Sequence, residues 1–299
     1  MPSLAQRLHK ERIDWVINRA LGQKHKNLKG INAIAVTQGP GLAIALEVGI
    51  SKAKELALKH NIPIIPINHI EAHLLSPFAN NEYLVSGIKY PVLGLVVSGG
   101  NTQLILIKKI GQYEVLAQTV DDALGEALDK GARLLGLGYP GGAILEKFAR
   151  VGNPDVYLLP SPLIDDKIKN RFSYSGLKTA MYRLIEKEKP LTKEKIYDLA
   201  SSFQEVAFKH IENVLLYQIV NCKLKIKNLL LGGGVANNNL LRSKLRKLLK
   251  PYRIALHVPY SKKLCSDNAA MIGVAAYFKA QRDEFIDPSK IDRSPSLKI

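Results

Sequence analysis

The chain has 299 residues, a formal net charge of +17 at pH 7, 46% hydrophobic residues and 23% charged residues. This composition is typical of a globular protein long enough for two core-bearing domains, and no apolar stretch approaches the roughly 20 residues that span a membrane. Two cysteines far apart exclude a disulfide framework, and residues 1–12 lack the apolar core of a signal peptide, so we expect a cytoplasmic protein.

The first part of the chain alternates helical and strand-like patterns. Helical periodicity covers residues 4–21 and 42–59, and short apolar runs at 30–36 and 62–67 predict strands. Asn68 is a suitable N-cap, so another helix is expected to begin at His69. His69 and His73 then share one helix face and can offer two nitrogen ligands to one metal ion. Two histidines that simply share a surface would show the same spacing.

From residue 90 onward the pattern begins with strands. Apolar runs at 92–97, 102–110 and 113–120, joined by glycine-containing turns, predict two hairpins. Predicted helices at 124–135, 142–151, 176–187 and 192–222 follow, and then a buried strand at 226–231, a helix at 237–249, a strand at 254–258 and a closing helix at 266–282. The alternation predicts an α/β protein. Residues 286–299 are polar and contain proline, so they are expected to form a loose tail.

Two glycine-rich turns are candidates for binding phosphate. The first spans residues 96–102, and the second, at 231–238, lies between a strand and a helix. Glycines let backbone N–H groups approach an anion, and a helix N-terminus favours negative charge. Neither turn matches the Rossmann or P-loop motif. Each would also serve as an ordinary turn.

Charged residues mark two further positions. Asp122, Glu126, Asp129 and Lys130 share one face of a predicted helix, which is also the pattern of a solvated surface. Asp267 precedes the last helix and is either a plain N-cap or a third metal ligand beside the histidines. The net charge of +17 favours a polyanionic partner such as nucleic acid, although a lysine-rich surface would give the same total.

Ten short segments fall in order over nearly the whole chain: residues 2–9, 37–41, 69–73, 97–103, 121–130, 135–142, 172–179, 202–205, 233–238 and 266–268. Each segment is weakly specific alone, but taken together they resemble the tRNA N6-adenosine threonylcarbamoyltransferase family (TsaD). Two of them look like the bacterial branch of that family.

The resemblance implies an actin-like ATPase (ASKHA) fold with two α/β lobes around a cleft. The first lobe would comprise residues 1–88, with the closing helix at 266–285 packing back on it, and the second would comprise 89–265, followed by the loose tail at 286–299. Family members open with a β-hairpin that carries a phosphate-binding turn, and this chain starts after it. We therefore expect an N-terminally incomplete first lobe with an unpaired sheet edge, poor solubility and slow turnover.

The resemblance also implies the reaction and the site. Threonylcarbamoyl would pass from threonylcarbamoyl-AMP to N6 of adenosine 37 in tRNAs that read codons beginning with A. His69, His73 and Asp267 would bind one divalent metal ion, iron(II) by preference, although zinc(II) suits the same ligands. A paralogous actin-like subunit and a small ATPase subunit would be partners, and no membrane is involved. The implied substrate contacts are Val96, Val97, Ser98, Gly99, Gly100, Asp129, Gly142 and Asn238.

Three other functions compete with this interpretation. A zinc metalloprotease would carry glutamate directly after the first histidine, whereas Glu71 stands two residues on. A sugar kinase, another carbamoyltransferase or another ATPase of the same fold is a second alternative, because fold does not determine chemistry. A catalytically impaired binding subunit is the third. The histidine pair argues against the kinases, and the retained metal ligands argue against a subunit without activity.

Overall fold

The computed structural model describes residues 2–22, 28–162, 170–221 and 226–299. The chain divides into two compact units, one formed by Met1–Ala79 with Asn268–Ile299 and the other by Asn80–Asp267. The helices are α1 (Pro2–Leu21), α2 (Ala43–His60), α3 (His69–Leu75), α4 (Glu82–Gly87), α5 (Leu124–Leu134), α6 (Gly142–Ala149), α7 (Ser175–Glu188), α8 (Lys193–Asn221), α9 (Asn239–Leu249) and α10 (Ala269–Ala280). The strands are β1 (Ile34–Gly39), β2 (Ile64–Asn68), β3 (Val92–Val97), β4 (Thr102–Lys109), β5 (Gln112–Thr119), β6 (Arg171–Phe172), β7 (Asn228–Gly232) and β8 (Ala255–His257).

The first unit is built around a parallel pair of strands. In the described part of the chain, β1 and β2 form a two-stranded sheet with Ile34 opposite Ile64. Helix α2 crosses between them, as parallel strands require, and α10 packs against β2 and α3. Apolar side chains from α2 and β2 meet in a small core that contains Ile50, Ala53, Ala57 and Ile64.

The segment 286–299 follows a defined path across this unit, so the expectation of a loose tail is wrong. Ile286 bridges Ile64, and the backbone N–H of Ser294 donates to the carbonyl of Gln38 at 2.8 Å. Ile291 is fully buried in the small core. One apolar anchor and several main-chain hydrogen bonds therefore hold a segment whose polar composition predicted no structure.

The second unit contains a six-stranded sheet in the order β6-β5-β4-β3-β7-β8. The antiparallel hairpins β3–β4 and β4–β5 form as predicted from their turns, and β7 joins β3 in parallel. Every residue of β3 is buried, in keeping with its continuous apolar run at the centre of the sheet. Strand β5 has a mostly exposed or half-buried sequence.

Helix α8 supplies the centre of the core in this unit. All residues from Leu199 to Gln204 are buried, and further along the helix Ala207, Phe208 and Ile211 are buried as well. A helix that is apolar and buried on all sides lies inside the protein. At Gly131 of α5, a Cβ atom would lie 2.8 Å from the ring of Phe203, so glycine permits close packing of these helices. None of the helices within the described ranges is both long and apolar enough to cross a membrane.

Truncation of the tail anchor tests its contribution to stability. Ile291→Ala should lower the free energy of unfolding of the first unit by about 2–5 kcal/mol, because it removes a fully buried side chain. Ile291→Val is the matched control and should cost only about 0.5–1.5 kcal/mol. Urea unfolding and limited proteolysis of the C-terminal segment measure both effects. Equal stability of the wild type and Ile291→Ala would show that the tail is not anchored there.

Candidate functional site

The histidine pair stands at the start of helix α3, directly after strand β2. The Asn68 side chain caps this helix by accepting from the backbone N–H of Ile70 at 2.8 Å and of Glu71 at 3.3 Å. Its amide group in turn donates to the carbonyl of Lys298 in the C-terminal segment, at 3.0 Å. The capped helix places His69 and His73 on one face, with ring centroids 4.6 Å apart.

Asp267 joins this pair through helix α10. It precedes Asn268, the N-cap of α10, by one peptide bond, and α10 packs against α3. The ligand atoms of His69, His73 and Asp267 all lie within 4.8 Å of one another. His73 is fully buried, His69 is half-buried and Asp267 is exposed. Two imidazoles and one carboxylate that converge in this way fit a divalent transition metal with coordination positions left open.

A cavity of about 430 Å³ lies in the second unit where strands β3 and β7 end. The two strands are parallel neighbours with Val96 opposite Gly232, so the two glycine-rich turns leave the same edge of the sheet. In α/β sheets, ligands bind at the carboxyl ends of the strands. The cavity is lined by Gly99, Gly125, Leu128, Asp129, Pro140, Gly142, Ala143, Glu146, Gly234, Val235, Asn237, Asn238 and Ser266.

The first glycine-rich turn is held by its own backbone. Ser98 donates its N–H to the carbonyl of Asn101 at 2.8 Å, and its hydroxyl accepts from the N–H of Asn101 at 3.1 Å. The carbonyl of Ser98 also accepts from the N–H of Gly125, at the start of α5, at 3.1 Å. A Cβ on Gly125 would lie 2.6 Å from that carbonyl oxygen, so only glycine allows this approach.

The second turn approaches the first one closely at Gly233. This residue has φ of +93°, and a Cβ there would lie 2.3 Å from the carbonyl oxygen of Val97. The chain then forms a 3-10 helix at Gly234–Asn237 and enters α9. Asn238 caps α9 by accepting from the N–H of Leu241 at 3.1 Å, and its amide group donates to Gln204 at 2.9 Å. These bonds give the side chain of Asn238 a structural role at the cavity wall.

Asp129 shapes another wall of the cavity. One of its carboxylate oxygens accepts from the backbone N–H of Gly141 at 2.9 Å and of Gly142 at 2.7 Å. These N–H groups stand at the beginning of α6, where a carboxylate is favourable. The bonds fix the loop that precedes α6 against α5.

Asp121 and Asp122, just before α5, form a network with Lys130 of α5 and with the segment from β6 to the first turn of α7. Asp122 pairs with Lys130 at 2.5 Å and with Lys178 at 3.0 Å. Asp121 accepts from the hydroxyl groups of Ser173 and Ser175. The predicted charged face is therefore used largely for internal ion pairs.

Two groups beside this network have shifted pKa values. Burial raises the pKa of Asp121, but hydrogen bonds from Ser173, Tyr174 and Ser175 together lower it by more, so the net pKa lies below the ordinary value. Burial lowers the pKa of His210 to about 4, against a smaller opposing effect of the Asp121 charge. A neutral imidazole at His210 agrees with its position as acceptor for the N–H of Ser173 at 3.2 Å.

A comparison with known sequences identifies the family. The sequence profile of tRNA N6-adenosine threonylcarbamoyltransferase (TsaD) matches residues 1–274. The chain belongs to this family. A relative of that name from Trichlorobacter lovleyi is 44% identical over 287 residues, which cover 94% of this chain and 80% of the relative. One from Clostridium kluyveri is 41% identical over 302 residues, which cover 100% of this chain and 86% of the relative.

Solved structures with a similar fold include HypF proteins. HypF from T. kodakarensis superposes with a TM-score of 0.62 at 15% identity, over 88% of this chain and 42% of that one. Full-length HypF in a phosphate- and nucleotide-bound form superposes with a TM-score of 0.61 at 15% identity, over 85% of this chain and 48% of the HypF chain. This chain thus spans less than half the length of each HypF chain. Together with TsaD membership, the likeness identifies an α/β fold of the ASKHA type.

In this TsaD-family chain, the structure separates the predicted site residues into four groups. The predicted metal ligands converge. Gly99, Asp129, Gly142 and Asn238 line the cavity, whereas Val96 and Val97 are fully buried in β3. Ser98 and Gly100 belong to the first turn but are not among the lining residues. Most of the other lining residues lie in segments already identified from the sequence, although they were not predicted as contacts: Gly125, Leu128, Pro140, Gly234, Val235, Asn237 and Ser266. Only Ala143 and Glu146 lie outside those segments.

A substitution at the close approach tests the cavity geometry. Gly233→Ala should destabilise the second unit by about 1–3 kcal/mol and widen the cavity wall, because the new Cβ meets backbone atoms at positive φ. Gly176→Ala is the matched control, since a Cβ there meets nothing within 4 Å and Gly176 lies in α7. That control should stabilise by about 0.5–1 kcal/mol. Urea unfolding measures both, and a neutral Gly233→Ala would contradict the described contact.

A second prediction concerns pH. Because the folded-state pKa of His210 is about 4 and its ordinary value is 6.5, the neutral form stabilises the folded state above 6.5 and this stability is lost as pH falls toward 4. The loss is on the order of 3 kcal/mol. His210→Gln should make the free energy of unfolding, measured with urea, depend less on pH between these values. The control His60→Gln should keep the wild-type dependence of this free energy on pH. An unchanged slope in His210→Gln would exclude His210 as its source.

Proposed function

We propose that this chain transfers a threonylcarbamoyl group from threonylcarbamoyl-AMP to N6 of adenosine 37 in tRNAs that read codons beginning with A. Membership of the TsaD family supports the reaction. The observation that carries the proposal is that Ser266 lines the glycine-rich cavity while the next residue, Asp267, belongs to the metal-ligand group. Adjacent Cα atoms are about 3.8 Å apart, so one residue of the cavity wall and one metal ligand are neighbours in the chain.

The cavity suits the adenylate part of the donor. Its volume of about 430 Å³ lies in the usual range of small-molecule sites. Backbone N–H groups of the two turns can approach the phosphate, since Gly99 and Gly234 present no side chain there. The bonds from Asp129 to Gly141 and Gly142 keep a third loop in place before the donor arrives.

His69, His73 and Asp267 would hold the divalent metal, and we propose iron(II) ahead of zinc(II). Two histidines and one carboxylate with open positions are a common iron(II) ligand set. A bound metal would supply Lewis acidity toward an oxygen of the acyl phosphate. The cap at Asn68 and its bond to Lys298 orient the two imidazoles in advance.

The transfer itself requires alignment more than a strong base. The N6 amine forms a bond to the carbamoyl carbon, the bond from that carbon to the phosphate oxygen breaks, AMP leaves with the electron pair, and the amine loses a proton. The chain contributes by holding the donor phosphate against the two turns, so that the carbonyl carbon faces the incoming amine.

We also propose that the two units correspond to the two actin-like lobes, and that the first one binds a paralogous subunit. A groove of about 580 Å³ lies between α1 and α2, lined by Ala5, Leu8, His9, Arg12, Ile13, Val16, Ala45, Val48 and Gly49. Trp15 and Val16 are also exposed on α1. Exposed apolar side chains beside a groove suit a helical partner. A small ATPase subunit is the second proposed partner, on the basis of the family resemblance.

The metal assignment predicts the behaviour of one variant. After anaerobic loading with iron(II), the wild type should retain about one metal ion per chain and His73→Ala far less than one, because a buried ligand is lost. His60→Ala is the control and should retain the wild-type amount. Elemental analysis gives the content, and equal stoichiometry in all three proteins would refute the ligand set.

The reaction is tested with purified chain, tRNA and threonylcarbamoyl-AMP. Digestion of the tRNA and mass spectrometry should detect the modified adenosine, with at least a hundredfold less in His73→Ala, on the order of the loss expected for a removed electrostatic group. In a separate incubation with ATP and a sugar, phosphorylated sugar as product would favour the kinase alternative. Tight donor binding without any product would favour a binding subunit.

A further inference from the structure

The segment 239–266 of the second unit is unusually basic. It contains eight lysines and arginines and no aspartate or glutamate, although acidic residues number 26 in the chain as a whole. The segment covers α9, the 3-10 helix Lys250–Tyr252, strand β8 and the 3-10 helix Lys262–Leu264. Its basic residues are Arg242, Lys244, Arg246, Lys247, Lys250, Arg253, Lys262 and Lys263.

Two of these eight cations have internal roles. Arg242 donates to the carbonyl of Ala236 at 2.5 Å and contacts the sulfur of Cys265 at 3.4 Å. Lys244 pairs with Glu205 at 2.5 Å and lies 3.6 Å from Glu212. These contacts explain why Arg242 and Lys244 are only half-exposed.

The other six cations are exposed to solvent. Within the ranges that the structure describes, none of them lies in an ion pair. Two tyrosines stand among them, Tyr260 with 68% of its surface exposed and Tyr252 with 41%. We call these exposed residues of the segment the basic face: Arg246, Lys247, Lys250, Arg253, Lys262 and Lys263 with Tyr252 and Tyr260.

The basic face is attached to the cavity wall at one end. Asn237 lines the cavity, and its amide group donates to the carbonyl of Lys262 at 3.1 Å. Arg242 of α9 also contacts the sulfur of Cys265, which lies two residues before Asp267, so this contact joins α9 to the end of the segment. Arg246 and Lys250 follow Arg242 at successive helical turns, over about 12 Å of helix. Positive charge therefore extends from the rim of the cavity along α9.

We propose that the basic face binds the phosphate backbone of the substrate tRNA and that Tyr260 stacks on an unpaired base of its anticodon loop. The inference rests on the proposed function and adds the surface and the residues that hold the tRNA. Exposed cations that form no ion pair attract a polyanion, and exposed aromatic rings among cations are typical of single-stranded nucleic-acid sites. An acidic protein partner would not need the exposed rings.

A charge-matched pair of triple variants tests the proposal. The basic-face variant carries Arg246→Gln, Lys250→Gln and Arg253→Gln, and the control carries Arg183→Gln, Lys187→Gln and Lys209→Gln, three exposed cations elsewhere in the same unit. Fluorescence anisotropy measures tRNA affinity at several salt concentrations. The basic-face variant should bind at least about tenfold more weakly and show a log–log salt slope shallower by about 2–3, because each lost phosphate contact removes about 0.7–0.9.

The control variant should keep both the wild-type affinity and the wild-type slope. Equal weakening of the two triple variants would overturn the proposal, since total charge would then decide binding. Competition by poly-glutamate as effective as that by tRNA would also overturn it. Wild-type chain that binds tRNA with the expected slope but forms no modified adenosine would refute the proposed function alone. Modification with both triple variants equal to wild type would refute the basic face alone.

The stacking contact has its own test. Tyr260→Ala should weaken binding of an anticodon stem-loop RNA roughly tenfold, whereas Tyr260→Phe keeps the ring and should bind like the wild type. A duplex RNA of the same length has no unpaired base and should bind the three proteins equally. Weakening of duplex and stem-loop to the same extent, or equal weakening by both substitutions, would contradict stacking.

Discussion

The parallel pairing of β3 with β7 is the constraint on which the rest of the second unit depends. It places both glycine-rich turns at one edge of the sheet, although more than a hundred residues separate them in sequence. The pairing also brings Gly233 against the carbonyl of Val97, where no side chain fits. Once these two turns are together, residues of α5 and α6 and the N-cap of α9, Asn238, line one cavity.

Most elements could be predicted because their patterns are local. The hairpins β3–β4 and β4–β5 follow from apolar runs and glycine turns, and α2, α5 and α8 follow from helical periodicity. The first residues of α9 and α10 were less predictable. Asn238 and Asn268 act as N-caps, so each helix begins at the residue after its cap. Strand β6 has two residues and exists only through its pairing with β5, which no local pattern records.

The site was predictable where spacing alone decides geometry. The separation of His69 and His73 implies a shared helix face, and their convergence with Asp267 agrees with the family resemblance. The burial of Val96 and Val97 was not predictable from the motif, and neither of them lines the cavity. Asp122, Lys130 and Lys178 illustrate the same limit, since sequence shows three charges but only the fold shows that they neutralise one another.

The first unit is assembled from two stretches of chain, with the whole of Asn80–Asp267 synthesised between them. Domains generally fold in the order in which they leave the ribosome, and contacts between distant segments form slowly. Here the continuous second unit can fold first, whereas the first unit, which contains His69 and His73, is completed only after α10 has been synthesised. A metal ion held by His69, His73 and Asp267 would therefore be acquired late, only by chains whose second unit has already been synthesised.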